Sequence, residues 1–513
     1  MRNWRAKFLL VLVGLSSLSA FSVGTDFTAR QSENSAEPTA SKCDQNVPIV
    51  YLTINPALVT KGLFSRGSRQ LQMNWSLCGH LTNSADSIRL YNTNPAKMRP
   101  IELDSQALEK VFPNIVGRHA TKVQVPEFEF GDRDLTSNAS DPKTQRMHLK
   151  LPLQDSVLTE RAFGATYLRE SLSSLMLSEV ALPGTHNSGA YSQYTDFLSQ
   201  VVRKKFLIAQ EESIFNQLVL GIRYLDLRVG YYPESPEKFF LNHDKIRIMP
   251  LKTIFDQVTR FMAATNEILV LDFHRFPVGF NAEAHQQLVE MIKAQPSWST
   301  LALPESTLGT NITLGEMWAG GHRLFIAYED EVVENGQHLL WENVIHLWAN
   351  TAHIFQLKDY LSKRFALDVS FLQGRVLFTA NAFLTPQVND LVSGLQSPGL
   401  RDLAEKVSNA GLDKWFSTIW RSAFTIVSTD FFMGNRMIKL CTEVNLERAA
   451  AARRSSLVRR QTSSIEQEAR YNDYVVKSSL FKSVPDWIVV RYVKTPSGLT
   501  PQRVRIVSQV EPN

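Results

Sequence analysis

The stretch EILVLDFHRF, Glu267–Phe276, decides the fold. Ile268 to Leu271 are apolar without a break, and the run then turns polar at Asp272, His274 and Arg275. A short continuous apolar run is a strand buried on both faces, as in a parallel sheet. Asp272 and His274 are two apart, so they share one face at the end of that strand. On either side lie PLKTIFDQVTRFMAAT, which opens with Pro near its first turn, and AEAHQQLVEMIKAQ, both with helical spacing. Further out, the same alternation recurs. SSLMLSEVALP, IRYLDLRVG and FFLNHDKI read as strands upstream, with the helical EESIFNQLVLG among them. HRLFIAYED, NVIHLWAN, RVLFTANAF and FTIVSTDFF follow downstream. Buried strands separated by helices from about Ser173 to Leu446 predict an α/β fold. Their number and length suit a (β/α) TIM-type barrel, with domain bounds 165–446.

The flanks differ. Residues 1–24 pair Arg2, Arg5 and Lys7 with the apolar run Phe8–Val13 and a small-residue exit. That is the pattern of a secretory signal peptide, and the apolar run is too short to span a bilayer. Residues 25–44 are a polar linker. Residues 45–152 carry short β-rich runs such as IVYLTI, LQMNWSLCG, SIRLYN and TKVQVPEFEF, and predict a small antiparallel β-sandwich ahead of the barrel. Residues 447–513 form a basic tail, largely disordered, with WIVVRYVK and RVRIVSQV as a late hairpin. Sequons at Asn74, Asn138 and Asn311 agree with secretion. Of three cysteines, Cys43 and Cys78 can pair and leave Cys441 over, although spacing alone does not fix the connectivity. The net charge of +5 is misleading. Residues 446–513 hold 12 Lys+Arg against 6 Asp+Glu, so the rest of the chain carries −1. A neutral body with a basic tail argues against nucleic acid as a partner. Oligomeric state is left open.

Barrel enzymes assemble their sites at the C-terminal ends of the strands. Taken in order, those ends supply His186 and Asn187, then Asp226 and Arg228 with Tyr224 on the same face, then His243, then Asp272 and His274, and last Asp430. Each has a plainer explanation. A lone His is usually a hydrogen-bonded structural residue, an Asp–x–Arg pair is often a structural ion pair, and Asp430 can cap a helix. Their coincidence at one end favours a site, because polar groups inside a barrel are costly unless they pair or function.

LPGTHNSG, GIRYLDLRVG, FLNHD and EILVLDFHRF, in this order and spacing, resemble the X domain of phosphatidylinositol-specific phospholipase C. The likeness is to the small X-domain-only proteins first and the bacterial enzymes next. It implies cleavage of the diester between diacylglycerol and inositol phosphate, in which the inositol 2-hydroxyl attacks its own phosphorus. The resemblance makes His186 the general base, His243 the general acid and Arg228 the phosphate ligand. Asp430 would orient His186, and Asp226 would position Arg228 or the attacking hydroxyl. Asn187, Asp272 and His274 would contact substrate. Asn187 matches a calcium-ligand Asn of the animal signalling enzymes, but Arg228 stands where they have a carboxylate and His274 where they have a Glu. A guanidinium repels a cation, so the resemblance implies a metal-independent site with no cofactor. The bacterial enzymes have a Lys at the position of His274. The implied partner is a phospholipid or a glycosylphosphatidylinositol (GPI) anchor at a membrane surface. A glycerophosphodiesterase-like barrel is the alternative, and so is a barrel that binds lipid or protein without catalysis.

Overall fold

The computed structural model describes residues 49–56, 58–61, 64–67, 69–76, 87–91, 102–107, 116–125, 130, 169–191, 205–305, 309–330, 339–342, 344–367, 377–387, 399–454, 489–495 and 498–504. The signal-peptide and linker expectations, the sequon at Asn138, and Cys43 and Cys78 lie outside them. The chain divides into two units, the break falling between Glu447 and Arg448.

The first unit opens with strands β1 (Ile49–Asn55), β2 (Leu58–Lys61), β3 (Phe64–Gly67), β4 (Gln70–Ser76), β5 (Ser87–Tyr91), β6 (Glu102–Ala107) and β7 (Val116–Gln124). β4 lies between β1 and β7 in an antiparallel sheet, while β2 pairs with β3 and β5 with β6. The strand reading of this region therefore holds among the described residues. The two facing sheets of a sandwich are not among them. Ile54, Leu71, Met73 and Val125 are buried in one cluster, and Met433 of the α/β region packs against it. The α/β body supplies part of the apolar cover that a second sheet would give in a sandwich.

Nine further strands make one sheet. They are β8 (Leu182–Thr185), β9 (Tyr224–Tyr231), β10 (Phe239–His243), β11 (Ile246–Pro250), β12 (Leu269–Val278), β13 (Leu324–Tyr328), β14 (Ile345–Leu347), β15 (Phe378–Asn381) and β16 (Ile426–Thr429). Parallel ladders run in the order β14–β15–β16–β8–β9–β12–β13. No ladder joins β13 to β14 among the described residues, so the sheet is a curled half-barrel where a barrel was expected. β14, β15, β16 and β8 have only three or four residues each, few backbone groups with which to pair.

Two readings are corrected here. FFLNHDKI supplies β10, which is not one of the parallel strands. It runs antiparallel to β9 and turns through Asp244, at φ 50°, into β11. The doubling back returns His243 to the mouth of the sheet. SSLMLSEVALP, read as a strand, gives only Leu182 and Pro183 to β8, which runs on through Gly184 to Thr185. A Cβ on Gly184 would stand 2.5 Å from Cδ1 of Tyr224, so glycine is needed there to admit a ring.

The helices obey their capping signals. α1 (Ile214–Leu220) starts at Ser213, whose side chain accepts from the Asn216 amide, and ends at Gly221 with φ 114°. α2 (Leu251–Ala264) follows Pro250, and α3 (Ala282–Lys293) is capped by Asn281. Phe255, Trp298 and Phe273 pack between these helices and the sheet. Burying one such aromatic contributes about 1.5–3 kcal/mol. Among the described residues no helix is long and apolar enough to cross a membrane. In the second unit, β17 (Val489–Thr495) and β18 (Gly498–Val504) form the expected hairpin, with the second strand starting earlier than RVRIVSQV suggested.

Candidate active site

β8 and β16 are neighbours, with Thr185 opposite Thr429. Each strand delivers its next residue to the same point, so the His186 Nδ1 lies 2.7 Å from Oδ1 of Asp430. A carboxylate can only accept, so Nδ1 carries the proton and Nε2 is left as a base. Phe383 lies under the imidazole with ring centres 3.7 Å apart. The turns that present these residues are left-handed: Asn187 follows His186 at φ 42°, and Phe431 follows Asp430 at φ 45°. Such strain in non-glycine residues is characteristic of sites held in place by their surroundings.

Asp226 is the hub. Arg228 grips it with Nε and Nη2 at 3.1 and 3.0 Å, the Asn187 amide donates to it at 2.9 Å, and His274 Nε2 lies 2.8 Å away. Burial alone would raise its pKa. Arg228 and His274 outweigh that and hold the carboxyl well below the usual range. The reciprocal pairing raises the Arg228 guanidinium against its own burial. The Asn187 Nδ2 is buried and has no hydrogen-bond partner. It is a buried donor in want of an acceptor.

His243 stands edge-on to His186, ring centres 6.3 Å apart. Its Nδ1 donates to the Leu207 carbonyl at 2.8 Å, which leaves Nε2 open. Burial, reinforced by Arg228 and His186, pulls its pKa down to about 3. Unliganded, His243 is therefore neutral at physiological pH. An unfolded histidine takes its proton near 6.5, so between about 6.5 and 3 the unfolded chain binds the proton and the folded one does not. Stability should fall as pH falls through that window. We expect His243→Gln to flatten the fall in Tm between pH 6.5 and 4. An unchanged slope would show that other groups set it.

Asp272 lies directly opposite Asp226 in the β9–β12 ladder. Its Oδ2 accepts from the Tyr224 hydroxyl at 2.6 Å and meets His346 Nε2 at 2.9 Å. Its Oδ1 is buried without a partner. Asn381 donates to Nδ1 of His346 at 3.3 Å, and the His346 ring stacks on His274 at 3.9 Å. Burial lowers the His274 pKa. Glu329 sits 3.8 Å beyond His274, raised by its own burial.

All eight residues singled out from the sequence thus converge. His186, Asp430, Asp226, Arg228, Asn187 and His243 form one cluster, and His274 bridges to the Asp272 pair. His346 and Asn381 were missed, although NVIHLWAN and RVLFTANAF placed both on strands. Phe383 and the Leu207 carbonyl were missed too, and a backbone carbonyl has no sequence signal. A Cβ on Gly189 would lie 1.8 Å from Cδ1 of Leu241. A core leucine fills the space. Gly189→Ala should cost about 1–3 kcal/mol by overpacking, read as a lower Tm. An unchanged Tm would mean that Leu241 yields freely. No three His, Cys, Asp or Glu side chains among the described residues are grouped to hold a metal ion.

A buried Arg–Asp pair beside two histidines, each ring held by its Nδ1 at the mouth of an α/β sheet, is equipped to handle an oxyanion and move protons. The chain resembles the phosphatidylinositol-specific phospholipase C X-domain proteins. It is 28% identical over 206 residues to PI-PLC X domain-containing protein 1 of Danio rerio, 36% of this chain and 64% of that one. It is 25% identical over 293 residues to PI-PLC X domain-containing protein 3 of Mus musculus, 52% and 87% of the two chains. It is 27% identical over 286 residues to the variant-surface-glycoprotein phospholipase C of Trypanosoma brucei brucei, 48% and 78%. Among solved structures, phosphatidylinositol-specific phospholipase C from Listeria monocytogenes aligns with TM-score 0.39 at 17% identity, over 53% of this chain and 95% of that one. The Staphylococcus aureus enzyme aligns with TM-score 0.43 at 13% identity, over 56% and 99%. No family model matches the chain.

Proposed function

We propose that the protein is a secreted phosphodiesterase that cleaves phosphatidylinositol or a GPI anchor without a metal ion. The observation that carries this reading is the facing pair His186 and His243 with Arg228 beside them. A ring spacing of 6.3 Å leaves a gap of about phosphoryl size between the two imidazoles, which supports this reading. His186 Nε2 takes the proton of the inositol 2-hydroxyl, and Asp430 stabilises the imidazolium formed. The oxygen so exposed attacks phosphorus, and the P–O bond to diacylglycerol breaks. His243 gives a proton to the departing glycerol oxygen. It is neutral in the unliganded site, so the diester's own negative charge must raise its proton affinity on binding. Arg228 faces the non-bridging oxygens and does the work of a cation. The products are diacylglycerol and a cyclic inositol phosphate.

His274, His346, Asp272 and Glu329 border the space for the rest of the headgroup. A secreted enzyme meets GPI anchors, which face outward. Asn311 is exposed and suits glycosylation. Asn74 does not, since its side chain is buried in β4 with Nδ2 bonded to Thr53 at 2.9 Å. Sugar in the mature protein is therefore expected at Asn311 and not at Asn74, as peptide mapping after deglycosylation would read.

The test is to incubate purified protein with phosphatidylinositol vesicles and with cells bearing a GPI-anchored reporter, with and without EGTA. Release of cyclic inositol phosphate or reporter, unaffected by EGTA, is expected. No product from either substrate would leave a catalytically silent module, and dependence on calcium would overturn the metal-independent mechanism.

A further inference from the structure

We infer that Arg69, on the N-terminal sheet, is a positioning residue that sets the placement of both His186 and His243, so that this sheet is a working part of the site. The inference rests on the proposed roles of the two histidines, and the sheet lies outside the residues that carry the family likeness.

The link is the segment 207–212. Its Leu207 carbonyl is the acceptor that orients His243. Its Gln210, fully buried, donates from Nε2 to the His186 carbonyl and to the Thr429 carbonyl, each at 2.9 Å. Between them, the Ala209 carbonyl accepts from the Phe431 amide, next to Asp430. One short stretch of chain thus touches all three arms of the proton-transfer machinery. Leu207 ends a short helical turn, and from Ile208 onward the segment has neither helix nor strand ladder to hold it there.

The Ala209 and Gln210 amides donate to the Ala190 carbonyl, and charge holds the end of the segment. Glu211 and Glu212 end the segment. Arg69 Nη1 lies 2.6 Å from Glu212 and 3.9 Å from Glu211, while Arg401 pairs with Glu211 and donates to the Pro56 carbonyl just past β1 at 3.3 Å. Glu212 also accepts from Asn216 at 2.8 Å, which ties the segment to the start of α1. Arg69 in turn is fixed to the sheet: its Nε donates to the Val125 carbonyl, its carbonyl accepts from the Val125 amide, and its backbone is left-handed at φ 42°. These ion pairs are buried, with Arg69 and Glu212 side chains 11% and 4% exposed, and removing one partner of such a pair is strongly disruptive. The sheet's apolar face meets Met433, three residues beyond Asp430. The sheet therefore braces the segment that orients both rings and the loop that carries Asp430.

The experiment uses the full chain with 15N-labelled histidine. The imidazole resonances of His186 and His243, assigned with His→Gln variants, are titrated in wild type, Arg69→Gln, Arg69→Lys and Arg118→Ala. Arg118 belongs to the same sheet but contacts the Ser408 carbonyl and not the segment. Arg69→Gln should shift both imidazole titrations and, in an active enzyme, lower kcat about 10- to 100-fold with KM little changed, as expected of misplaced catalytic groups. Arg69→Lys should move both in the same direction by less, and it decides the matter should Arg69→Gln fail to fold. Arg118→Ala should move neither. Unshifted histidines in a folded Arg69 variant overturn the inference, and so do equal shifts in Arg118→Ala, which would reflect a generally loosened sheet. An inactive wild type with shifted histidines would sink the proposed function and leave the brace standing.

Discussion

His186→Ala should lower kcat/KM by about 10²–10⁴-fold, the usual contribution of one general base. No neighbouring group replaces it. Asp430 loses its partner, His243 has its Nδ1 committed to the Leu207 carbonyl, and His274 is held on Asp226. Asp430→Asn should reproduce much of the loss while leaving the ring in place. An amide can donate to Nδ1, which favours the tautomer with its proton on Nε2, where the base is needed. Measured on phosphatidylinositol vesicles, activity above one tenth of wild type in His186→Ala would place the base elsewhere. Far-UV circular dichroism is the control for folding.

Arg228→Lys is expected to cost about 10²–10³-fold in kcat, comparable to the loss of a preorganised charge-stabilising donor. An ammonium keeps the charge and loses the planar fork that grips Asp226 with two nitrogens and leaves a third for the diester. Arg228→Asp is the sharper version. It removes the cation and sets a second carboxylate beside Asp226, which is itself held strongly acidic by that cation. This variant should be inactive in EGTA and could regain slight activity with calcium. Wild-type rates in Arg228→Lys would reduce Arg228 to a structural partner of Asp226 and leave the phosphate ligand to be found, with the orphaned Asn187 amide the next residue to examine.

Much of this site was legible because strand periodicity is local. The apolar run Ile268–Leu271 specifies a buried strand wherever it sits, and a spacing of two puts Asp226 with Arg228, and Asp272 with His274, on one face. The four ordered motifs then gave the resemblance to phospholipase C X domains, and capping residues such as Ser213 and Gly221 bounded the helices. The rest depended on pairings between distant parts of the chain. That β10 turns back antiparallel, and so carries His243 to the mouth from the opposite direction, follows from its ladder to β9 and not from its own pattern. The Leu207 carbonyl on His243, Gln210 behind His186, and Arg69 clamped to Glu212 across 143 positions are contacts between groups that carry no mark of their partner in the sequence. The sequence by itself determined which residues line the strands and which chemistry they offer. Tertiary structure decided which nitrogen of each histidine is free, how strongly burial and Arg228 suppress the charge of His243, and that the N-terminal strands pack on the α/β body. These depend on distance and desolvation, which exist only once the chain has folded.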